Sequence, residues 1–235
     1  MPEDPITAAS ADGRTTLTEP EAKSLLREAG IATPRFAVAG DPDEAVDTAE
    51  DIGLPIVVKV SAPSVTHKSE WADGAGVSVG LDSTEAVREA AERVFDAADA
   101  LDVDADVLVE AAANLDAGTE VIVGGLRDPS FGPVVLTGLG GVFTEVYEDT
   151  SHRLAPVDRA EASAAIDDLT AARLLDGYRG RQAADRDALA AVVETVADLV
   201  VDRPEIAEVD VNPVLITADG AVALDALVVL SEENT

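Results

Sequence analysis

A histidine and two lysines lie close together in the first third of the chain. Thr66-His67-Lys68-Ser69 lies downstream of the apolar run at residues 56–60, which contains Lys59. The whole chain has only 2 histidines, and its one further lysine is Lys23. A neutral imidazole is a good nucleophile toward phosphorus, and nearby ammonium groups screen the charge of a phosphoryl group. This concentration indicates phosphate chemistry at His67, although a solvated loop histidine beside a solvated lysine explains these residues equally well.

A second set of polar residues lies in a hairpin predicted near the end of the sequence. If residues 217–220 form a four-residue loop, counting back along both strands places Asn212 opposite Asp225. Asp210 lies two residues from Asn212 and therefore on the same face. Hard oxygen ligands of this kind suit Mg²⁺ bound to nucleotide phosphates. The alternative is a polar, solvent-facing side of the hairpin, and a one-residue shift in register would move Asp225 to the other face.

The elements that must position these residues are helices and strands in alternation. Caps and apolar periodicity predict helices at residues 18–30, 42–52, 83–100, 159–169 and 186–201. Short β-branched runs predict strands at residues 31–38, 56–60, 76–81, 107–110, 120–126, 132–137, 206–216 and 221–230. The pattern is that of an α/β protein.

The predicted elements divide into two α+β subdomains that meet near residue 111. Residues 1–16 are small and polar without periodicity, so we expect a flexible N-terminal extension there. Residues 17–110 form the predicted N-terminal subdomain with the histidine loop, and residues 111–235 form the C-terminal subdomain with the hairpin. Clefts between subdomains favour ligands, so we expect a nucleotide between the two.

The composition excludes several classes of partner. Lys and Arg number 16 against 47 Asp and Glu, which gives a formal net charge of −31. Such a field repels polyanions, so we expect no nucleic-acid partner. Acidic residues spread along a lysine-poor chain are typical of a halophilic protein, and we expect a haloarchaeal source.

The chain has 0 cysteines, which excludes disulfides, thiolate metal sites and a cysteine nucleophile. Its first residues lack the features of a secretory signal, and no apolar stretch approaches the roughly 20 residues of a membrane span. We therefore expect a cytoplasmic protein that does not enter a membrane.

Taken together, these segments resemble the β-subunit of ADP-forming acetyl-CoA synthetase, also called acetate–CoA ligase (ADP-forming), an ATP-grasp protein. The resemblance covers residues 17–230. Its motifs, in chain order, are Leu17-Thr18-Glu19-Pro20-Glu21-Ala22-Lys23, Pro55-Ile56-Val57-Val58-Lys59-Val60, Thr66-His67-Lys68-Ser69, Glu120-Val121-Ile122-Val123-Gly124, Gly138-Leu139-Gly140-Gly141-Val142-Phe143, Gly177-Tyr178-Arg179-Gly180 and Glu208-Val209-Asp210-Val211-Asn212-Pro213.

The resemblance implies an ATP-grasp fold, with the nucleotide between its two subdomains, and a phosphohistidine relay. His67 matches the histidine that passes a phosphoryl group between an α-type, CoA-binding subunit and ADP, in a complex expected to be an α2β2 heterotetramer. Lys59 matches the lysine that contacts ATP or ADP phosphates. Glu110 and Glu120 match carboxylates that contact the nucleotide. Asn212 and Asp225 match Mg²⁺ ligands, and Asp210 is an optional third ligand.

Some features depart from the family or stay open. Residues 70–76 make the loop after His67 longer than is usual, and they include the only tryptophan. The glycines at 138–141 suit either close approach to phosphate or partner, or a tight turn, and the role of residues 177–180 is not indicated. Two other functions compete with the ligase subunit. One is a self-contained ATP-grasp carboxylate-amine ligase in which His67 has no role, and the other is a nucleotide-binding module without catalysis.

Overall fold

The computed structural model describes residues 4–140, 149–177 and 182–231. Within these residues the helices are α1 (Pro5–Ala11), α2 (Glu19–Glu28), α3 (Pro42–Ile52), α4 (Thr84–Leu101), α5 (Arg159–Asp167) and α6 (Arg186–Asp202). The strands are β1 (Phe36–Ala39), β2 (Ile56–Ser61), β3 (Val77–Leu81), β4 (Asp106–Ala111), β5 (Thr119–Asp128), β6 (Gly132–Leu139), β7 (Thr150–Leu154), β8 (Ile206–Thr217), β9 (Gly220–Ala223) and β10 (Leu227–Leu230).

The chain divides into two compact units. The small unit comprises Thr18–Glu21 and Pro34–Ala113, and the large unit comprises Met1–Leu17, Ala22–Thr33 and Asn114–Thr235. The expected boundary near residue 111 is close to this division, but residues 22–33 group with the large unit instead of the N-terminal subdomain. The reason is that the apolar side of α2, including Leu25 and Leu26, is buried in the core of the large unit.

The small unit is a four-stranded antiparallel sheet in the order β1-β4-β2-β3, covered by α3 and α4. Each helix begins at a capping side chain: Asp41 accepts a hydrogen bond from the Glu44 amide at 2.8 Å, and Ser83 accepts one from the Ala86 amide. Alternation along β2 sends Val58 and Val60 into the core beneath the helices. The residue between them, Lys59, therefore lies on the opposite face of the sheet.

The large unit contains an antiparallel sheet in the order β10-β8-β5-β6-β7, with β9 paired to β8. Helix α6 packs against this sheet through its buried apolar residues. The packing is close enough that a Cβ on Gly125 would lie 2.6 Å from a methyl group of Val200. Only glycine fits at that position of β5 without moving the helix.

The N-terminal segment differs from the expected flexible extension. Residues 5–11 form α1, and its Ile6 and Ala9 are buried in the core of the large unit. Asp4, just before the helix, pairs with Arg203 at 2.8 Å. Only two apolar side chains, three residues apart, anchor this helix. The neighbouring residues are small or polar, so the sequence shows no helical periodicity of apolar residues here. In the described ranges, no helix is long and apolar enough to cross a membrane.

Arg127, at the end of β5, fastens the C-terminal end of α6. Its guanidinium donates to the carbonyl oxygens of Val200 and Val201 and, at 3.1 Å, to that of Ile206. We expect Arg127→Met to lower the free energy of unfolding by about 1.5–3 kcal/mol, because two carbonyls at the C-terminus of α6 and one at the start of β8 lose a charged donor. Urea unfolding measures this. The control Arg159→Met removes a more exposed ion pair and should cost much less, and equal losses would contradict the assignment.

Candidate functional site

Four charged side chains form a buried cluster in the small unit. The ammonium of Lys59 lies 2.6 Å from Oε1 of Glu19 and 3.4 Å from Oε1 of Glu110. The ammonium of Lys68 lies 3.1 Å from the other Glu19 oxygen, Oε2. The Glu19 side chain is only 1% exposed. Charges this deeply buried are stable only when paired, and here each ammonium has a carboxylate partner.

Strand pairing places two members of this cluster side by side. Lys59 of β2 pairs with Leu108 of β4, and Glu110 follows two residues later on the same face. The Glu110 side chain is buried, unlike an ordinary surface carboxylate. Glu110 therefore lies where it can orient the lysine that the family resemblance assigns to nucleotide phosphates.

His67 is exposed, at the start of a compact turn. Its carbonyl oxygen accepts hydrogen bonds from the amides of Glu70 and Trp71, at 3.3 and 3.2 Å. The Trp71 side chain packs against the core of the small unit. A Cβ on Gly76 would lie 2.2 Å from the carbonyl oxygen of Lys68, so only glycine fits there. The longer loop after His67 is thus folded back and anchored to the core, and it presents the imidazole to solvent.

The hairpin has the predicted register. Ile216 pairs with Ala221 across β8 and β9, and the Asn212 amide donates to the carbonyl oxygen of Asp225 at 3.3 Å. Asp210 pairs with Leu227 of β10 in continuation of the same register. Asn212, Asp225 and Asp210 therefore share one face of the large unit, as expected from counting along the strands. Their role as metal ligands stays a prediction.

The carboxyl group of Asp210 has a raised pKa. Burial raises the pKa of its carboxyl from 3.8 to about 6, with smaller contributions from the negative charges of Glu208 and Asp225. A cation would stabilise the ionised form of a carboxyl group that is buried beside other negative charges. The donor set of two carboxylates and an amide fits a hard cation such as Mg²⁺ that keeps several waters. Among the described residues, no three or more His, Cys, Asp or Glu residues form a metal-binding group.

The remaining predicted residues lie in the large unit. Glu120 is exposed on β5, where it pairs with Leu215. A Cβ on Gly140 would lie 3.0 Å from the Glu120 carbonyl oxygen, and one on Gly138 would lie 2.9 Å from that of Asp149. These two glycines therefore permit close backbone approach at the end of β6. Residue 141 of this run, and residues 178–180 of the second glycine segment, lie outside the described residues.

Glu19 is the residue that sequence reasoning missed. Its neighbour Glu21 caps the start of α2, where its carboxylate accepts from the Thr18 amide at 2.8 Å. The signal that points to Glu19 is Lys59 itself. A lysine inside a continuous apolar strand needs a buried carboxylate nearby, and only an acidic residue from a neighbouring segment can supply it.

Comparison with known proteins agrees with this fold. Residues 8–230 match the family model of the ATP-grasp domain. The chain is 40% identical over 226 residues to acetate–CoA ligase (ADP-forming) I subunit beta of Pyrococcus furiosus, with 96% of each chain covered. It is also 40% identical over 213 residues to acetate–CoA ligase (ADP-forming) I of Archaeoglobus fulgidus, a match that covers 91% of this chain and 31% of that protein.

A solved structure is similar over nearly its whole length. It is a Candidatus Korarchaeum cryptofilum dinucleotide forming acetyl-coenzyme A synthetase 1 in complex with coenzyme A and Mg-AMPPCP, its phosphohistidine segment pointing towards the nucleotide binding site. The TM-score is 0.84 at 36% identity, with 97% of this chain and 99% of that chain covered. The chain belongs to the ATP-grasp family. Within that family it belongs to the β subunits of ADP-forming acetate–CoA ligases, which confirms the expected family and fold class.

Asp210 makes the stability of the metal-free protein depend on pH. Between pH 3.8 and about 6 the folded state retains a proton on Asp210 that the unfolded chain releases, so stability falls as pH rises through this window. We expect Asp210→Asn, in the presence of a chelator, to raise the free energy of unfolding by about 1–2 kcal/mol near pH 8 and by much less near pH 4.5.

Urea titrations at both pH values measure this difference. Asp219→Asn, in the exposed hairpin loop, is the control for loss of one negative charge. The gain should persist in molar KCl, because burial is the largest cause of the shift and salt does not screen it. A gain that is equal at the two pH values would contradict this account.

Proposed function

We propose that this chain is the nucleotide-binding subunit of an ADP-forming acyl-CoA synthetase, in which acetate, ATP and CoA are interconverted with acetyl-CoA, ADP and phosphate. The observation that carries the proposal is the ion cluster of Lys59, Lys68 and Glu19 beside an exposed His67. An exposed imidazole in the residue directly before an ion-paired lysine, in the same unit as a second buried ammonium group, offers a nucleophile and cationic groups for exchanging a phosphoryl group with a nucleotide.

Each residue has a distinct role in this reaction. A ring nitrogen of His67 attacks the terminal phosphorus of ATP, and ADP leaves with the bond electrons; the reverse step returns the phosphoryl group to ADP. Lys59 binds the phosphates, oriented by Glu110, while Glu120 is a further nucleotide contact. Mg²⁺, when bound by Asn212 and Asp225 with Asp210 as an optional ligand, neutralises phosphate charge.

The acyl half of the reaction belongs to a partner. The match covers 31% of the Archaeoglobus enzyme but 96% of the Pyrococcus β subunit. We infer that an α-type, CoA-binding subunit supplies the acyl site, in a complex with two copies of each chain. We further propose that the protein is cytoplasmic, because a chain with 0 cysteines suits a reducing compartment. We also propose that it is halophilic, because a formal charge of −31 favours folding and assembly in concentrated salt, where like charges are screened.

Phosphorylation of His67 by Mg-ATP tests the nucleotide half-reaction. We expect radiolabel from the terminal phosphate of ATP to enter the chain in acid-labile, base-stable form, because phosphohistidine has that stability. His67→Asn should abolish the label, whereas His152→Asn, which alters the only other histidine, should retain it. Assays in dilute buffer and in molar KCl report the salt requirement.

Each alternative function has its own outcome. Acid-stable label, or label that persists in His67→Asn, would contradict the relay. ATP hydrolysis that needs a carboxylate and an amine but not His67 would indicate a carboxylate-amine ligase. ADP binding without any label would indicate a nucleotide-binding module. Acyl-CoA synthesis should appear only after an α-type subunit is added, and its appearance with this chain alone would contradict the split between subunits.

The hairpin makes a separate prediction about Mg²⁺. Asn212→Ala combined with Asp225→Asn should raise the Mg²⁺ concentration needed for half-maximal His67 labelling on the order of tenfold or more, because two oxygen ligands are lost or weakened. Asn at residue 225 keeps the acceptor for the Ala226 amide. Glu208→Gln, on the same strand, is the control for charge. An unchanged Mg²⁺ requirement, with an unchanged unfolding midpoint, would leave the hairpin a structural role only.

A further inference from the structure

Glu19 joins two lysines with different tasks. Its Oε1 contacts Lys59, which is fixed in the middle of β2, and its Oε2 contacts Lys68, the residue directly after His67. The two ammonium groups thus share one carboxylate that is almost completely buried. Lys59 donates a hydrogen bond to Oε1, and Lys68 is held at Oε2 by an ion pair at 3.1 Å, so both ammonium groups depend on the position of this one carboxylate.

The position of Glu19 is itself well determined. It is the first residue of α2, and the helix start is held by the Glu21 carboxylate, which accepts from both the amide and the hydroxyl of Thr18. A carboxylate in the first turn is also favoured by the helix dipole. Glu19 therefore presents its side chain from a fixed helix end and not from a loop.

Lys68 is held by its backbone as well as by its side chain. Its carbonyl oxygen packs against Gly76 so closely that no Cβ fits there, and it accepts from the Trp71 amide at 3.3 Å. His67, one residue earlier, is exposed. The reach of the imidazole is thus set by the place where Lys68 is fixed, and the Glu19 carboxylate fixes the side-chain end of that residue.

We propose that Glu19 is a positioning residue for phosphoryl transfer: by holding Lys68 it places the segment that carries His67 relative to the nucleotide lysine, Lys59. The inference rests on the proposed function, since it assigns Glu19 a role in that reaction. Small displacements of a nucleophile reduce rates strongly, because the reacting atoms must approach in line and at near-contact distance. Glu19 itself does not touch the reacting atoms.

The single tryptophan gives a readout that does not need activity. Trp71 lies four residues after His67 and packs against the core of the small unit. We expect Glu19→Gln and Lys68→Met each to raise the acrylamide quenching constant of Trp71 about twofold, because the turn opens locally when its side-chain tether is lost. The double variant should show no further increase, since both changes remove the same contact.

The rate of His67 labelling at saturating Mg-ATP is the second readout. We expect a fall on the order of tenfold or more in Glu19→Gln and in Lys68→Met, again without additivity in the double variant. Glu28→Gln removes a carboxylate from the exposed end of the same helix and should leave both readouts at the wild-type value. Unfolding midpoints show whether each variant is folded. If Glu19→Gln does not fold, the quenching and labelling of Lys68→Met decide the test.

The outcomes separate this inference from the proposed function. Unchanged quenching in both single variants, or increased quenching with a wild-type labelling rate, would overturn the role of Glu19 and leave the nucleotide half-reaction standing. Additive effects in the double variant would also overturn it, because the two residues would then act independently. If the wild type takes no label while quenching responds as expected, the tether stands, and both the proposed reaction and the positioning role in it are overturned.

Discussion

The small unit is organised around one buried ammonium group. Lys59 lies in the middle of β2, which pairs with β3 on one side and β4 on the other, so its position cannot be adjusted without disturbing the sheet. A charge held there is tolerated only with countercharges at hydrogen-bonding distance. The lysine therefore requires acidic residues at the start of α2 and at the end of β4, and these are Glu19 and Glu110. Through the second oxygen of Glu19, this requirement extends to the segment that carries His67.

Much of this arrangement can be predicted from the sequence, and the failures have physical causes. Helices α3, α4 and α6 were predicted to within a residue or two because their starts and ends carry local signals, such as Asp41, Ser83 and Gly53. The hairpin register was correct because a short loop fixes it. Strand β7 was missed because Thr150–Leu154 is polar and, among the described strands, lies at the edge of its sheet. Glu19 was missed because its partners lie 40 residues or more away, and only the fold brings them together.

Composition and site are connected through lysine. The chain keeps only three lysines, and two of them, Lys59 and Lys68, meet at the same carboxylate. On an acidic surface the loss of lysine costs little, because exposed ion pairs contribute little to stability. A buried ammonium paired with buried carboxylates cannot be replaced so easily, since arginine has a different shape and hydration. Scarcity elsewhere in the sequence is therefore what makes the remaining lysines informative about function.

The two halves of the site are held by different kinds of interaction. Lys59 and Glu110 are fixed by ladders of strand hydrogen bonds, which break only together with the sheet. The His67 segment is held by the Glu19 carboxylate, by the packing of Trp71 and by the close contact at Gly76. Each of these contacts can break without breaking the hydrogen bonds of the sheet. In the proposed reaction, a nucleophile that meets a phosphoryl donor and then passes the group on needs contacts of this second kind, while the groups proposed to bind the nucleotide need the first. Glu19 combines the two kinds of interaction. It is anchored at the start of a helix, and it contacts the His67 segment through a single ion pair.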